Sequence, residues 1–525
     1  MIKKVIVVGG GNAGYSVAVA IKKFNPSVEV SIFHSKNIPT LGVGESTVPQ
    51  VATFYTALLG YNQTEFMRKT DSVFKFANKL ENFYKNKGEY TYIGFSYNLH
   101  GSDLLNGYFY QNNNSSYRSV LNDKDRFTDY VLELYKKKEI SNDVNPYINE
   151  HFGFLEKNKC PFDGDRYLAN SLWSWAYHTD ANKITSVLKE TAIELGINIV
   201  EEEIIPVIRN NECLGVKTST GELFTADLYI DSSGFARTLF KHTDVEWENF
   251  TYIPVDKAWL VNSNYTEKET QMTAYTRSIA MNYGWRFEIA LFSRLGNGYL
   301  FSSKHVSDEE AFNELKLSIP EETWIQQPRL INFVPGRYKV AAVRNIVSAG
   351  ISTGFLEPLL SNALYLSVSA AKKIAFFIQK ENKGTPLKAL LEEYNNSTTI
   401  LYDSIYQYLT AVYKFTQRDD TSFWTEQKNG FTESMLQNVR NQYYSKFNCI
   451  ENNINGFSIF PDYLWLNLAL HYERNVSDWS SSFSIDSRKL ALAKNTFKYI
   501  HDKSMLSSNL APSFYSWHKK YIYEQ

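Results

Sequence analysis

Residues 2–8 end in Val5-Ile6-Val7-Val8, an apolar, β-branched segment suited to a parallel strand covered on both faces. Over residues 13–24 the spacing changes. Ala13, Val17, Ala20, Ile21 and Phe24 recur at helical intervals and predict a helix with one apolar face. Val28 to Phe33 returns to strand character. Strand, helix and strand of these lengths make a βαβ unit, so the fold class expected is α/β with a doubly wound, Rossmann-like core. Further along, residues 181–195 carry an amphipathic helical pattern. Strand-like stretches follow near 197–208 and 213–219, punctuated by turns at Asn210-Asn211 and Thr220-Gly221. Ala226 to Ile230 is another short buried strand. From about 361 to 417 the pattern is helical, with a break at Gly384-Thr385-Pro386, and the last 100 residues read as mostly helical and aromatic. Residues 95–165 are rich in Asn, Tyr and Asp, and Gln111 to Ser116 reads as loop.

These segments predict a core split in sequence, over 1–95 and 165–380. An insertion near the substrate occupies 96–164, and a mostly helical substrate or cap region occupies 381–525. Composition narrows the function classes. The 525 residues carry a formal net charge of −1, which points away from nucleic-acid partners and from a polybasic membrane anchor. No apolar run approaches the roughly 20 residues that span a bilayer. Cys160, Cys213 and Cys449 stand far apart without CxxC or zinc spacing, so no metal is expected and a reducing, cytoplasmic setting is. The aromatic fraction, 15%, suits a large core and also a protein that surrounds planar ligands.

Between the first strand and first helix lies Gly9-Gly10-Gly11-Asn12-Ala13-Gly14. Gly9 allows the tight turn, Gly11 lets the backbone approach a pyrophosphate, and Gly14 lets helix and strand pack closely. The second strand usually ends in an acidic residue that binds ribose hydroxyls. Here His34-Ser35 follows Phe33, and either side chain could donate to a ribose oxygen. Beyond it come Gly42-Val43-Gly44-Glu45-Ser46 and Phe74-Lys75-Phe76-Ala77-Asn78-Lys79-Leu80-Glu81-Asn82. Asp231-Ser232-Ser233-Gly234, Tyr283-Gly284-Trp285-Arg286-Phe287-Glu288-Ile289-Ala290, Ala349-Gly350-Ile351-Ser352-Thr353-Gly354 and Gly354-Phe355-Leu356-Glu357-Pro358-Leu359-Leu360-Ser361 follow.

In that order these segments resemble the flavin-dependent halogenases of the tryptophan-halogenase type, and the chain looks like a divergent member, similar to those of marine viruses (the cyanophage type). The resemblance implies FAD, used as FADH2, with halide and O2 as co-substrates. FAD would contact Gly9, Gly11, Asn12, Ala13, Gly14, His34, Gly42, Val43, Gly44, Glu45, Ile204, Asp231, Ile351 and Leu364. Halide would lie at the backbone of Asn362 and Ala363 beside Ser361, which would be catalytic together with Lys79. Lys79 would be the lysine that handles hypohalous acid. Trp285 and Phe287 stand in the Gly-Trp-x-Trp-x-Ile-Pro motif, where Phe287 replaces the second Trp and Ala290 the Pro. Asn98 and His100 fall near a substrate-pocket stretch. The family's Glu-Pro-Leu-Glu-Ser becomes Glu357-Pro358-Leu359-Leu360-Ser361, so a leucine takes the place of an acid.

The expected function is therefore delivery of hypohalous acid through Lys79 to a small electron-rich arene, a phenol or indole, with bromide or iodide as candidate halides. A separate NAD(P)H-dependent flavin reductase would supply FADH2. The alternatives are a flavin-dependent aromatic monooxygenase and a catalytically silent FAD-binding protein.

Overall fold

The structure is a computed structural model that describes residues 1–35, 42, 44–95, 127–169, 175–445, 460, 462–480 and 485–524. Val43, Asn98, His100 and Cys449 lie outside the described residues. The described chain forms two compact units. One comprises Met1–Ser72, Ala176–Leu260 and Arg329–Tyr406; the other comprises Val73–Trp175, Val261–Pro328 and Gln407–Gln525.

In the first unit a six-stranded sheet has the order Asn198–Val200, Glu29–Phe33, Lys4–Val8, Leu228–Asp231, Ile346–Ser348, Ala342–Val343. The first five strands run parallel, and only the edge strand Ala342–Val343 is antiparallel. Val5 and Val7 have no solvent exposure, as a strand in the middle of a covered parallel sheet requires. Helix Asn12–Phe24 packs against helices Ala181–Glu194 and Asn362–Asn382. Those two neighbours explain why every residue from Gly14 to Ile21 is buried, a wider face than the apolar stripe predicts. A three-stranded antiparallel sheet, Ile204–Arg209, Glu212–Thr218 and Leu223–Phe224, completes the region expected near 197–219.

The helical stretch near 361–417 is observed as Asn362–Asn382 and Leu387–Lys414, parted at Gly384-Thr385-Pro386. Gly384 has φ +100, and the proline ring then removes a donor, so the break follows from both residues.

The second unit contains five consecutive strands in the order Leu295–Phe301, Gly284–Ala290, Tyr275–Ala280, Ala77–Glu81, Tyr90–Gly94. Ala77–Glu81 pairs in parallel with Tyr275–Ala280, with Lys79 opposite Arg277. This pairing draws residues 73–95 and 261–328 into the second unit, whereas the sequence pattern put them with the core. Helices Phe127–Lys136, Ser422–Asn429, Glu433–Ser445, Asp462–His471 and Ser487–Leu510 account for the helical reading of the C-terminal region and for part of 96–164. Trp424, Trp465 and Trp479 are fully buried there, so these aromatics serve packing. Among the described residues no helix is long and apolar enough to cross a membrane.

Candidate active site

The glycine loop of the first unit is tight on one side and open on the other. A Cβ on Gly9, where φ is +124, would stand 2.3 Å from the Ser232 carbonyl oxygen. A Cβ on Gly14 would stand 1.9 Å from the carbonyl oxygen of Gly9. A Cβ on Gly11 would meet nothing within 4 Å. The loop therefore closes against its own strand and turn, and leaves space at the start of helix Asn12–Phe24, where N–H groups and the positive helix end favour a phosphate. The Asn12 side chain accepts a hydrogen bond from Thr185 Oγ1. Gly350, at φ +65, brings the third contact region against the same helix; a Cβ there would lie 2.8 Å from Ala13 Cβ.

The other expected flavin contacts divide by role. Asp231 is fully buried, and its carboxylate accepts from the amides of Ser233 (3.1 Å), Leu239 (2.7 Å) and Phe240 (2.9 Å) and from Ser233 Oγ (2.7 Å). It shapes the turn that carries Ser232, whose hydroxyl donates to Val8 O at 2.9 Å. Ile204 is half-buried and packs against the cluster containing Ile6, Val8 and Phe33. His34 Nε2 lies 3.3 Å from the Tyr15 hydroxyl, and its ring sits where a Cβ on Gly10 would reach, 2.5 Å away. Gly42 is half-buried and Leu364 is buried, while Ile351 lies in the short turn Gly350–Ser352.

Gly44, Glu45 and Ser46 form a strand that pairs antiparallel with His178–Asp180, and Glu45 lies opposite Thr179. Burial pushes the Glu45 carboxyl up to about 7, and the Asp180 charge adds to the shift. A carboxyl raised in the folded state is stabilising only while neutral, so its cost appears as pH rises from the unfolded value near 4.5 toward 7. Glu45→Gln is expected to stabilise the ligand-free protein at pH 8 by on the order of 1–3 kcal/mol, with the gain fading toward pH 5. Thermal melts at the two pH values check this; an equal gain at both would contradict it.

The helix start at Asn362 is strained and held from several sides. Leu360 (φ 64, ψ 17) and Ser361 (φ 67, ψ 37) are consecutive left-handed residues, each costing about 1–2 kcal/mol relative to ordinary backbone. Asn362 Nδ2 donates to the carbonyls of Glu357 (3.0 Å) and Leu359 (2.9 Å), and the Ser361 amide donates to Pro358 O at 2.9 Å. The Ser361 and Ser46 hydroxyls are 2.7 Å apart in a buried hydrogen bond. The Asn362 side chain thus pins the turn, while the first N–H groups of the helix, including those of Asn362 and Ala363, precede its internal ladder. Such N–H groups at a positive helix end suit a small anion.

In the second unit the two lysines of the Phe-Lys-Phe-Ala-Asn-Lys segment differ. Lys79 is half-buried, with Nζ 4.0 Å from the ring centre of Tyr90, 5.6 Å from Tyr275 and 5.7 Å from Tyr92. Its strand register places it on the face of Arg277 and Glu288. There Arg277 pairs with Glu81 at 2.8 Å and Glu288 at 3.1 Å, and Arg286 with Glu288 at 3.2 Å. Side chains alternate across a sheet, so Trp285 and Phe287 point to the opposite face, where Trp285 packs near Phe83. The sheet therefore separates Lys79 from Trp285 and Phe287.

Lys75 has no solvent exposure, and its Nζ lies 5.0 Å from the Phe95 ring centre. Burial holds its pKa well below the usual lysine range. Sequence reasoning passed over it; the available signal was its place between Phe74 and Phe76 in a strand.

A family model described as "Tryptophan halogenase" matches residues 4–481. The chain is 29% identical over 454 residues to tryptophan 7-halogenase RebH of Lentzea aerocolonigenes, covering 81% of this chain and 79% of that protein. It is 27% identical over 444 residues to tryptophan 6-halogenase ThaL of Streptomyces albogriseolus, with the same shares covered, 81% and 79%. The solved structure of a flavin-dependent halogenase from Xanthomonas campestris shares the fold, with TM-score 0.78, 21% identity, and 99% and 98% of the two chains covered.

Proposed function

The chain belongs to the tryptophan halogenase family, and on that premise we propose that it is a flavin-dependent halogenase acting on an indole-type or phenolic ring. One observation carries the reading. Within a single compact unit, a glycine loop open at Gly11 and an anion-suited helix start at Asn362 are tied together, by Gly350 against Ala13 and by Ser46 to Ser361.

The residues present fit FAD. The space at Gly11 would take the pyrophosphate, with Asn12, Ala13, Gly42, Gly44, Glu45, Ile351 and Leu364 as further contacts. Bound as FADH2, and renewed by a separate NAD(P)H-dependent flavin reductase, the cofactor would supply the O2 chemistry that turns halide into hypohalous acid. Asn362 and Ala363 would hold the halide through their backbone N–H groups.

Of the two lysines, Lys75 has the setting the next step calls for. An amine kept from water can hydrogen-bond hypohalous acid or form a haloamine, which turns a diffusing oxidant into a positioned electrophile. From bound hypohalous acid the arene carbon would take the halogen while the oxygen leaves as water; a haloamine, formed with loss of water, would pass its halogen to the ring and recover a proton at nitrogen, and in both cases the ring proton goes to solvent. Lys75, as an ammonium hydrogen-bonded to hypohalous acid, would donate the proton that the departing oxygen needs.

The test supplies FAD, a flavin reductase and NADH with a panel of indoles and phenols, giving chloride, bromide and iodide separately and reading products by mass. Halogenated masses that require added halide are expected. Hydroxylated masses formed without halide would establish a monooxygenase instead, and intact substrate with every ion would establish a silent flavoprotein.

A further inference from the structure

The second strand of the nucleotide-binding sheet ends in Phe33-His34, without the carboxylate that usually receives the adenosine ribose. The neighbouring strand, Asn198–Val200, runs parallel to it with Val200 opposite Phe33, and the His34 amide donates to Val200 O at 3.1 Å. Glu201 therefore emerges beside His34 at the same carboxyl edge of the sheet. Its Oε1 lies 4.0 Å from His34 Nε2 and 2.7 Å from Lys189 Nζ of helix Ala181–Glu194. The Tyr15 hydroxyl, 3.3 Å from the same His34 nitrogen, is raised to about 12 by burial and then by the Glu201 charge. The His34 ring in turn fills the space above Gly10. Carboxylate, imidazole and phenol thus converge at the rim of the glycine loop, within one unit.

We propose that Glu201 is the ribose-binding acid of this protein, accepting hydrogen bonds from the adenosine ribose hydroxyls of FAD from the edge strand rather than from the second strand. The inference rests on the FAD reading above. A carboxylate beside a pyrophosphate suffers charge repulsion, and the Lys189 ammonium offsets it while fixing the Glu201 side chain. A carboxylate has about four acceptor positions, so it can hold Lys189 and ribose hydroxyls together. His34, which occupies the usual acid's place, orients the group from the other side. Glu203, the next acid along, is exposed and accepts from Ser35 Oγ at 2.9 Å; it serves as the control.

The experiment titrates ligand-free protein with FAD and with an FAD analogue lacking the 2′-hydroxyl of its adenosine ribose, following flavin fluorescence. Wild type is expected to prefer FAD by roughly 10- to 100-fold, the usual worth of a hydrogen bond to a charged group. Glu201→Gln should lose most of that preference, and Glu203→Gln should keep it. Glu201 is half-exposed, so melting temperatures near wild type are expected for both variants. Retention of the full preference by Glu201→Gln would overturn the assignment while leaving the flavin reading intact. A wild-type protein that binds neither ligand would overturn both.

Discussion

Gly11→Ala folds with wild-type stability and loses FAD: this is the expected result. Gly11 has φ −90 and ψ −174, extended backbone that any residue adopts, and an added Cβ touches nothing within 4 Å. The protein alone therefore offers no steric obstacle to the substitution. The methyl group would stand where the helix N-terminus must meet the pyrophosphate, and close approach of backbone to phosphate is what a glycine permits there. Affinity for FAD should fall on the order of 100-fold, about 2.7 kcal/mol. Gly14→Ala should behave differently. Its Cβ would press on the Gly9 carbonyl at 1.9 Å, a backbone atom that no rotamer change can move aside, so stability should drop by about 1–3 kcal/mol or more. Melting temperature and flavin-quench titration on both variants check the pair. Wild-type FAD affinity in Gly11→Ala would put the pyrophosphate elsewhere.

What was legible in the sequence is what local patterning controls. The strand at residues 2–8, the glycine turn, the helix from 13 and the strand from 28 appear within a residue or two of their expected bounds, because burial on both faces and a 3.6-residue repeat leave direct marks on the chain. The break between Asn382 and Leu387 is legible for the same reason. Assignments that depend on distant pairing were not. The parallel register of Lys79 with Arg277 joins strands almost 200 positions apart, and it decides both the compact units and the face on which Lys79 lies. Asp231 matches a flavin-contacting motif, yet its carboxylate is taken up by four hydrogen bonds from its own turn. Asn362 was read for its backbone, but its side chain also secures the strained turn before it. The nearness of Glu201 to His34 was not legible either, because strand order is what sets the two side by side.

Burial, rather than residue type, separates Lys75 from Lys79. Lys75→Met is expected to abolish halogenation, lowering product formation by roughly 10²–10⁴-fold, the usual contribution of a positioned proton donor. It should also raise the melting temperature at pH 7. A lysine whose folded pKa is depressed destabilises the protein below its unfolded pKa, and this cost fades as pH rises toward 10.5. Methionine keeps the apolar stem and removes the charge. Lys79→Ala should retain product formation within about tenfold and lose on the order of 1 kcal/mol of stability with its tyrosine contacts.

The most direct measurement is the mass-resolved yield of brominated product per NADH consumed, for wild type, Lys75→Met and Lys79→Ala, with bromide and an accepted indole or phenol. Product from wild type and Lys79→Ala but not from Lys75→Met is the predicted result. Product that persists in Lys75→Met and vanishes in Lys79→Ala would return the chemistry to Lys79 and contradict this account.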